Sequence, residues 1–140
     1  MYESVKEIRV RYGETDQMGY VYYGNYSLYY EEGRTDAIRK LGMTYKQLEE
    51  LGIILPVAEM SMRFKAPALY DDVLTVKTTI KEMPDKKMKF YTDIYNDKGD
   101  WLNTGEVTLL FVKAEIRKIC HAPGPLVAAL RPFFESTETL

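Results

Sequence analysis

The chain has 140 residues, 46% of them hydrophobic and 29% charged, and a net charge of −2. That length and balance predict one globular domain over residues 1–140 with a single core. They give no reason to expect nucleic-acid binding, and they exclude an internal disulfide framework (there is one cysteine) and a membrane-spanning helix of ~20 apolar residues. Met1–Tyr12 has no apolar core segment of the kind a signal peptide carries, so the expected location is cytoplasmic.

Val5 to Gly13 alternates, with Ile8, Val10 and Tyr12 on one face and Glu7, Arg9 and Arg11 on the other. This predicts a half-buried strand. From about Gly24 to Leu41 the positions Tyr26, Tyr29, Tyr30, Gly33, Ala37 and Leu41 recur at helical spacing and form one apolar stripe. Gly33 costs roughly 1 kcal/mol of helix propensity relative to Ala, which predicts close packing of the helix on a sheet. Leu28 and Ile38 lie off that stripe and suggest further contact surfaces. Gly42 stops the helix. Thr44 to Leu51 predicts a short second helix, with Thr44 and Gln47 spaced as a capping box.

Ile53 to Ala66 reads as a long strand bent at Pro56, with Ala58, Met60, Met62, Phe64 and Ala66 alternating against Glu59, Ser61, Arg63 and Lys65. Pro67–Asp72 is a turn, Val73–Met83 a strand ended by Pro84, and Met88–Tyr95 a further alternating strand. Asn96–Asp100 makes a hairpin loop into the last long strand, Trp101–Glu115. In the proline-rich tail, Leu126–Leu130 predicts one or two helical turns over the core. One long helix among five strands excludes a doubly wound parallel sheet. The order fits an α+β fold, a five-stranded antiparallel sheet with the helix across it. One helix cannot cover both faces of such a sheet, and its edges stay open, so a homo-oligomer, dimer or tetramer, is expected.

Glu14-Thr15-Asp16, followed by Gly19, places an acid on the strand-to-helix connection, beside helix N–H groups that have no intrahelical partner. A carboxylate there can deprotonate water or attack a carbonyl, and the N–H groups can hold the developing oxyanion. The candidates are Asp16 and the backbone amides of Tyr23 and Gly24. An Asp in this setting also serves as an ordinary cap. Asn25 reads as a hydrogen-bonder at the helix start or as a substrate contact. Glu31, off the stripe, could reach a ligand pocket or a neighbouring subunit, or pair with Arg34 or Thr35 in solvent. Lys86, Lys87 and Lys89 cluster at a strand start, suited to phosphates or to protecting a sheet edge. Cys120 and His121, adjacent on an extended chain, point to opposite sides and make a poor nucleophile–base pair. With one cysteine and one histidine there is no metal-ligand cluster, and no G-x-S-x-G, Walker or H-E-x-x-H motif occurs.

The run Tyr12-Gly13-Glu14-Thr15-Asp16-Gln17-Met18-Gly19-Tyr20-Val21-Tyr22-Tyr23-Gly24-Asn25-Tyr26 resembles the signature of the hotdog-fold acyl-CoA thioesterases. The branch it matches best is the 4-hydroxybenzoyl-CoA thioesterase-like one, which includes thioesterases associated with the Tol-Pal system. Tyr30-Glu31, Arg34 and Leu69-Tyr70-Asp71-Asp72-Val73-Leu74 continue the match. The resemblance implies a sheet wrapped around one long helix. It also implies hydrolysis of an acyl-CoA thioester to a carboxylic acid and coenzyme A, without metal or redox cofactor. By the same resemblance Asp16 acts as general base or nucleophile, and the Tyr23 amide polarises the carbonyl. Many relatives carry histidine where this chain has Tyr23; the 4-hydroxybenzoyl-CoA enzymes carry tyrosine. The family also implies subunits that pair and build sites at their boundary. The acyl group is not fixed by it. An acyl-ACP thioesterase and a non-catalytic acyl-thioester-binding hotdog protein remain as alternatives.

Overall fold

The computed structural model describes residues 1–135. In chain order it contains β1 (Tyr2–Arg9), α1 (Tyr26–Lys40), α2 (Tyr45–Glu50), β2 (Ile53–Ile54), β3 (Val57–Phe64), β4 (Val73–Ile80), β5 (Lys87–Tyr95), β6 (Trp101–Leu110), β7 (Val112–Lys113), β8 (Lys118–Ile119) and α3 (Gly124–Leu130). Five strands form one antiparallel sheet in the order β1-β4-β5-β6-β3; β2, β7 and β8 form a second, small one. The α+β arrangement expected from the element order is the one observed.

The helix stripe packs on the sheet as its spacing requires. Tyr26, Tyr29, Tyr30 and Ala37 are buried against Leu74 and Val76 of β4, Phe90 and Ile94 of β5, and Val107 and Leu109 of β6. At Gly33 an added Cβ would stand 2.8 Å from both Thr78 Oγ1 and Val76 Cγ1, so helix and sheet touch at the glycine. Helix α1 contacts β1, β4 and β5, and this leaves the end of the sheet formed by β3 less covered.

Several strand boundaries and one side-chain placement differ from the reading of the sequence. The first strand runs Tyr2–Arg9, and Tyr12 lies exposed in a 3-10 turn, Tyr12–Glu14. That turn is fixed by Glu14 Oε1, which accepts the Arg11 backbone N–H at 2.8 Å. The expected strand Ile53–Ala66 is two strands in different sheets, divided at Leu55–Pro56; Pro has no N–H to continue a ladder. The last strand stops at Leu110, and the chain turns through the β7–β8 hairpin instead of running on to Glu115. Ile38, read as an outward contact, is buried in the core, whereas Leu28 is exposed. The second helix has the Thr44–Gln47 capping box, and the tail folds into α3 with Leu126 and Leu130 buried.

Candidate active site

Asp16 sits in a short loop that its own carboxylate organises. Its Oδ1 accepts the N–H groups of Met18 at 2.9 Å and Tyr20 at 3.3 Å. The Asp16 N–H in turn donates to the Tyr20 carbonyl at 2.8 Å. Gly19, at φ +79°, supplies the left-handed residue this turn needs. The second oxygen, Oδ2, accepts no hydrogen bond among the described residues. One carboxylate oxygen thus builds the loop and the other is left without a partner among the described residues.

Helix α1 begins with a 3-10 turn, Tyr23–Asn25. The first intrahelical donors are the N–H of Asn25, to Tyr22 O at 2.8 Å, and that of Tyr26, to Tyr23 O. The N–H groups of Tyr23 and Gly24 precede them and find no protein acceptor among the described residues. They carry the positive end of the helix dipole. Asp16 and Tyr23 line one cleft of about 340 Å³, walled by Tyr26, Phe64, Lys65 and Pro67. The Tyr26 and Phe64 rings meet edge to face at 5.3 Å. The cleft therefore has an apolar wall, one carboxylate and a helix start.

Residues 10–130 match the family model of the Thioesterase-like superfamily. The chain belongs to that family. It is 38% identical over 120 residues to the putative acyl-CoA thioesterase YneP of Bacillus subtilis, covering 86% of this chain and 80% of that one. It is 31% identical over 124 residues to the acyl-CoA thioester hydrolase YbgC of Escherichia coli, covering 89% and 92%. A solved DHNA-CoA thioesterase from Staphylococcus aureus superposes with a TM-score of 0.83 at 34% identity, covering 96% of this chain and 85% of that one. The resemblance carried by the Tyr12–Tyr26 run is borne out, and the sheet and helix are those of a hotdog-fold thioesterase.

Within this thioesterase-like chain the remaining candidates separate. Asn25 does not cap α1; its Nδ2 donates to the Glu14 carbonyl at 2.9 Å. Glu31 is exposed on α1 and forms no ion pair with Arg34 among the described residues. It borders two other clefts, neither of which contains Asp16. Lys86, Lys87 and Lys89 do not line the Asp16 cleft of the same protomer. Lys87 pairs with Leu110 and Phe64 with Asn103, so the lysines lie at the opposite end of β6. Seven residues of strand put that end roughly 24 Å away. The cation that does reach the cleft is Lys65, whose Nζ lies 4.1 Å from the centre of the Trp101 ring.

Glu14 is the residue whose role reading the sequence missed. Its carbonyl accepts the Tyr22 N–H at 2.9 Å as well as Asn25 Nδ2, and its Oε1 accepts the Tyr29 hydroxyl at 2.8 Å. It ties the end of β1, the Asp16 loop and the start of α1 into one unit. Partial burial would by itself raise its pKa. The Arg11 amide, the Tyr29 hydroxyl and the Arg11 guanidinium outweigh that and hold the carboxyl below its ordinary value. The local element of this is the three-residue separation that lets the Glu14 carboxylate accept the Arg11 N–H.

Cys120 and His121 stay outside the site. The His121 ring bonds Asp85 at 2.5 Å on an exposed surface, and the Cys120 N–H donates to Phe111 O, at the lysine end of the sheet. Cys120→Ala and His121→Ala are each expected to keep most of the hydrolytic activity. Steady-state rates of the folded variants check this: a loss by orders of magnitude in either would move the site.

Proposed function

We propose that this protein hydrolyses acyl-CoA thioesters at the Asp16 cleft. The observation that carries the reading is the free Oδ2 of Asp16 in the same cleft as Tyr23, at a helix start with two unpaired N–H groups. In this reading the thioester carbonyl oxygen lies against the amides of Tyr23 and Gly24. Asp16 takes a proton from water as the oxygen adds to the carbonyl carbon, and the oxyanion that forms is held by the two N–H groups. The C–S bond then breaks, the carboxylic acid is released, and coenzyme A leaves as the thiol after receiving that proton. In the nucleophilic variant Asp16 attacks the carbonyl itself, the C–S bond breaks to expel coenzyme A as the thiolate, and water then cleaves the resulting anhydride, releasing the proton that makes the thiol. Single turnover in ¹⁸O-water separates the two, because cleavage at the aspartyl carbonyl leaves label on Asp16. The names of the relatives support coenzyme A as the carrier. A hydrolysis screen over acyl-CoA and acyl-ACP substrates tests the reading: turnover of acyl-ACP alone, or of neither, defeats it.

We also infer that the working unit is a homo-oligomer joined through β3. Seven of its eight residues are exposed, including the apolar Val57, Met60 and Phe64, and among the described residues it has a neighbour, β6, on one side only. An edge of this kind is a template for pairing with a second copy. A partner seated there would stand beside Phe64 and complete the cleft wall, so the site would be shared. Light scattering coupled to size exclusion is expected to give at least a dimer. A monomeric mass for fully active protein at assay concentration would remove both the oligomer and the shared site.

A further inference from the structure

We propose that the cavity between α1, α2 and β2 is a binding site for a small organic carboxylate. The cavity measures about 280 Å³ and shares no lining residue with the Asp16 cleft. Its polar end is Arg34, which is 8% exposed. Among the described residues Arg34 forms no ion pair, and its Nη1 has no hydrogen-bond partner. The buried Tyr45 hydroxyl lies beside the guanidinium and interacts with it, and its own proton has no acceptor among the described residues.

A guanidinium cannot shed its proton to escape this situation, and a buried charge without a counter-charge is strongly unfavourable. Chains keep such an arrangement where something else supplies the acceptor. A carboxylate matches it: two coplanar oxygens meet the guanidinium fork, and one of them can also accept the Tyr45 hydroxyl. Burial, the larger influence, raises the Tyr45 pKa to about 12 even though the neighbouring Arg34 lowers it, so the hydroxyl keeps its proton and donates. Ile53, Leu55 and Leu109 line the rest of the cavity and would cover the hydrocarbon part of the ligand. That apolar wall offers nothing to inorganic phosphate. Glu31 and Glu49, exposed at the border, favour a single negative charge over two.

Calorimetric titration of the full chain with hexanoate and benzoate tests the site, with hexanamide, benzamide and inorganic phosphate as matched controls. Saturable binding of the carboxylates is expected, at least about tenfold tighter than that of the amides or phosphate. Arg34→Gln should abolish it and Tyr45→Phe should weaken it several-fold. The unliganded Arg34→Gln protein should melt no lower than wild type, since the substitution removes an unpaired buried charge. If that variant fails to fold, Tyr45→Phe carries the test. No carboxylate binding by wild type, or amides binding as well as carboxylates, overturns the proposal. So does an Arg34→Gln protein that melts lower and loses its oligomeric mass, which would show a second copy of the chain supplying the carboxylate. None of these readouts involves turnover, so the proposal and the hydrolase reading fail separately.

Discussion

Asp16→Asn should lower kcat for acyl-CoA hydrolysis by at least about 10²-fold in a protein that still folds. The structure makes this substitution unusually clean. Oδ1 holds the loop by accepting the N–H groups of Met18 and Tyr20, and an asparagine Oδ1 can still accept both, in bonds weakened by loss of the charge. The change falls on Oδ2, which becomes an NH₂ group able neither to take a proton from water nor to attack a carbonyl. The helix-start amides remain, so the carbonyl stays polarised and KM should move less than kcat. Asp16→Ala removes the loop bonds as well and should cost stability in addition to rate; the difference between the two variants separates chemistry from loop support. Near wild-type kcat in folded Asp16→Asn, measured by release of free thiol, would reject Asp16 as base and as nucleophile.

The parts of the molecule governed by local periodicity were legible in the sequence. The stripe from Tyr26 to Ala37 predicts α1 because burial of one helix face forces 3.6-residue spacing, and the Thr44–Gln47 pair predicts the start of α2 because capping is local. Gly33 announced the sheet beneath it by its cost alone. The sheet itself was harder. Alternation from Ala58 to Ala66 reads the same whether the apolar face is covered by the chain's own helix or left for another surface, and β3 turns out to be an edge whose apolar side chains are exposed. In β1 the buried face includes Ser4 and a tyrosine whose hydroxyl donates to Ala37 O at 2.7 Å, so polarity disguised the true start at Tyr2.

The candidate site divides along the same line. Asp16, Tyr23 and Gly24 lie within nine consecutive residues, and the motif brings them together without long-range information. Whether Lys86, Lys87 and Lys89 belong with them depends on which end of β6 pairs with β5, a register that no local pattern encodes. Arg34 shows the opposite failure. A cation four residues after Tyr30 reads as the solvated partner of Glu31, yet Gly33 draws α1 so close to the sheet that the next residue is buried as well. The glycine was visible, but its consequence for its neighbour was not.

Gly105→Ala should destabilise the fold by about 3 kcal/mol or more and lower Tm by roughly 10 °C. Gly105 lies in β6 opposite Met62 of β3 and Thr92 of β5. An added Cβ would run into the backbone carbonyl of Ser61 and come within 2.5 Å of the Tyr30 hydroxyl. The second contact could be relieved by a side-chain adjustment; the first is with backbone and cannot be relieved by any rotamer. Tyr30 has little room to yield in any case, since it is fully buried and its hydroxyl donates to Asn103 Oδ1. The strands β3 and β6 would have to part at their middle. That is the pairing that carries Phe64 and, just beyond it, Lys65 and Pro67 to the wall of the Asp16 cleft, so activity should fall together with stability. Tyr30→Phe in the Gly105→Ala background clears the hydroxyl but leaves the Ser61 carbonyl, and should recover little of the lost Tm. Thermal melts of the single and double variants decide the matter. A Gly105→Ala protein that melts with wild type would mean that β3 is not held at this spacing, and the positions of the cleft wall and of the proposed oligomer edge would fall with it.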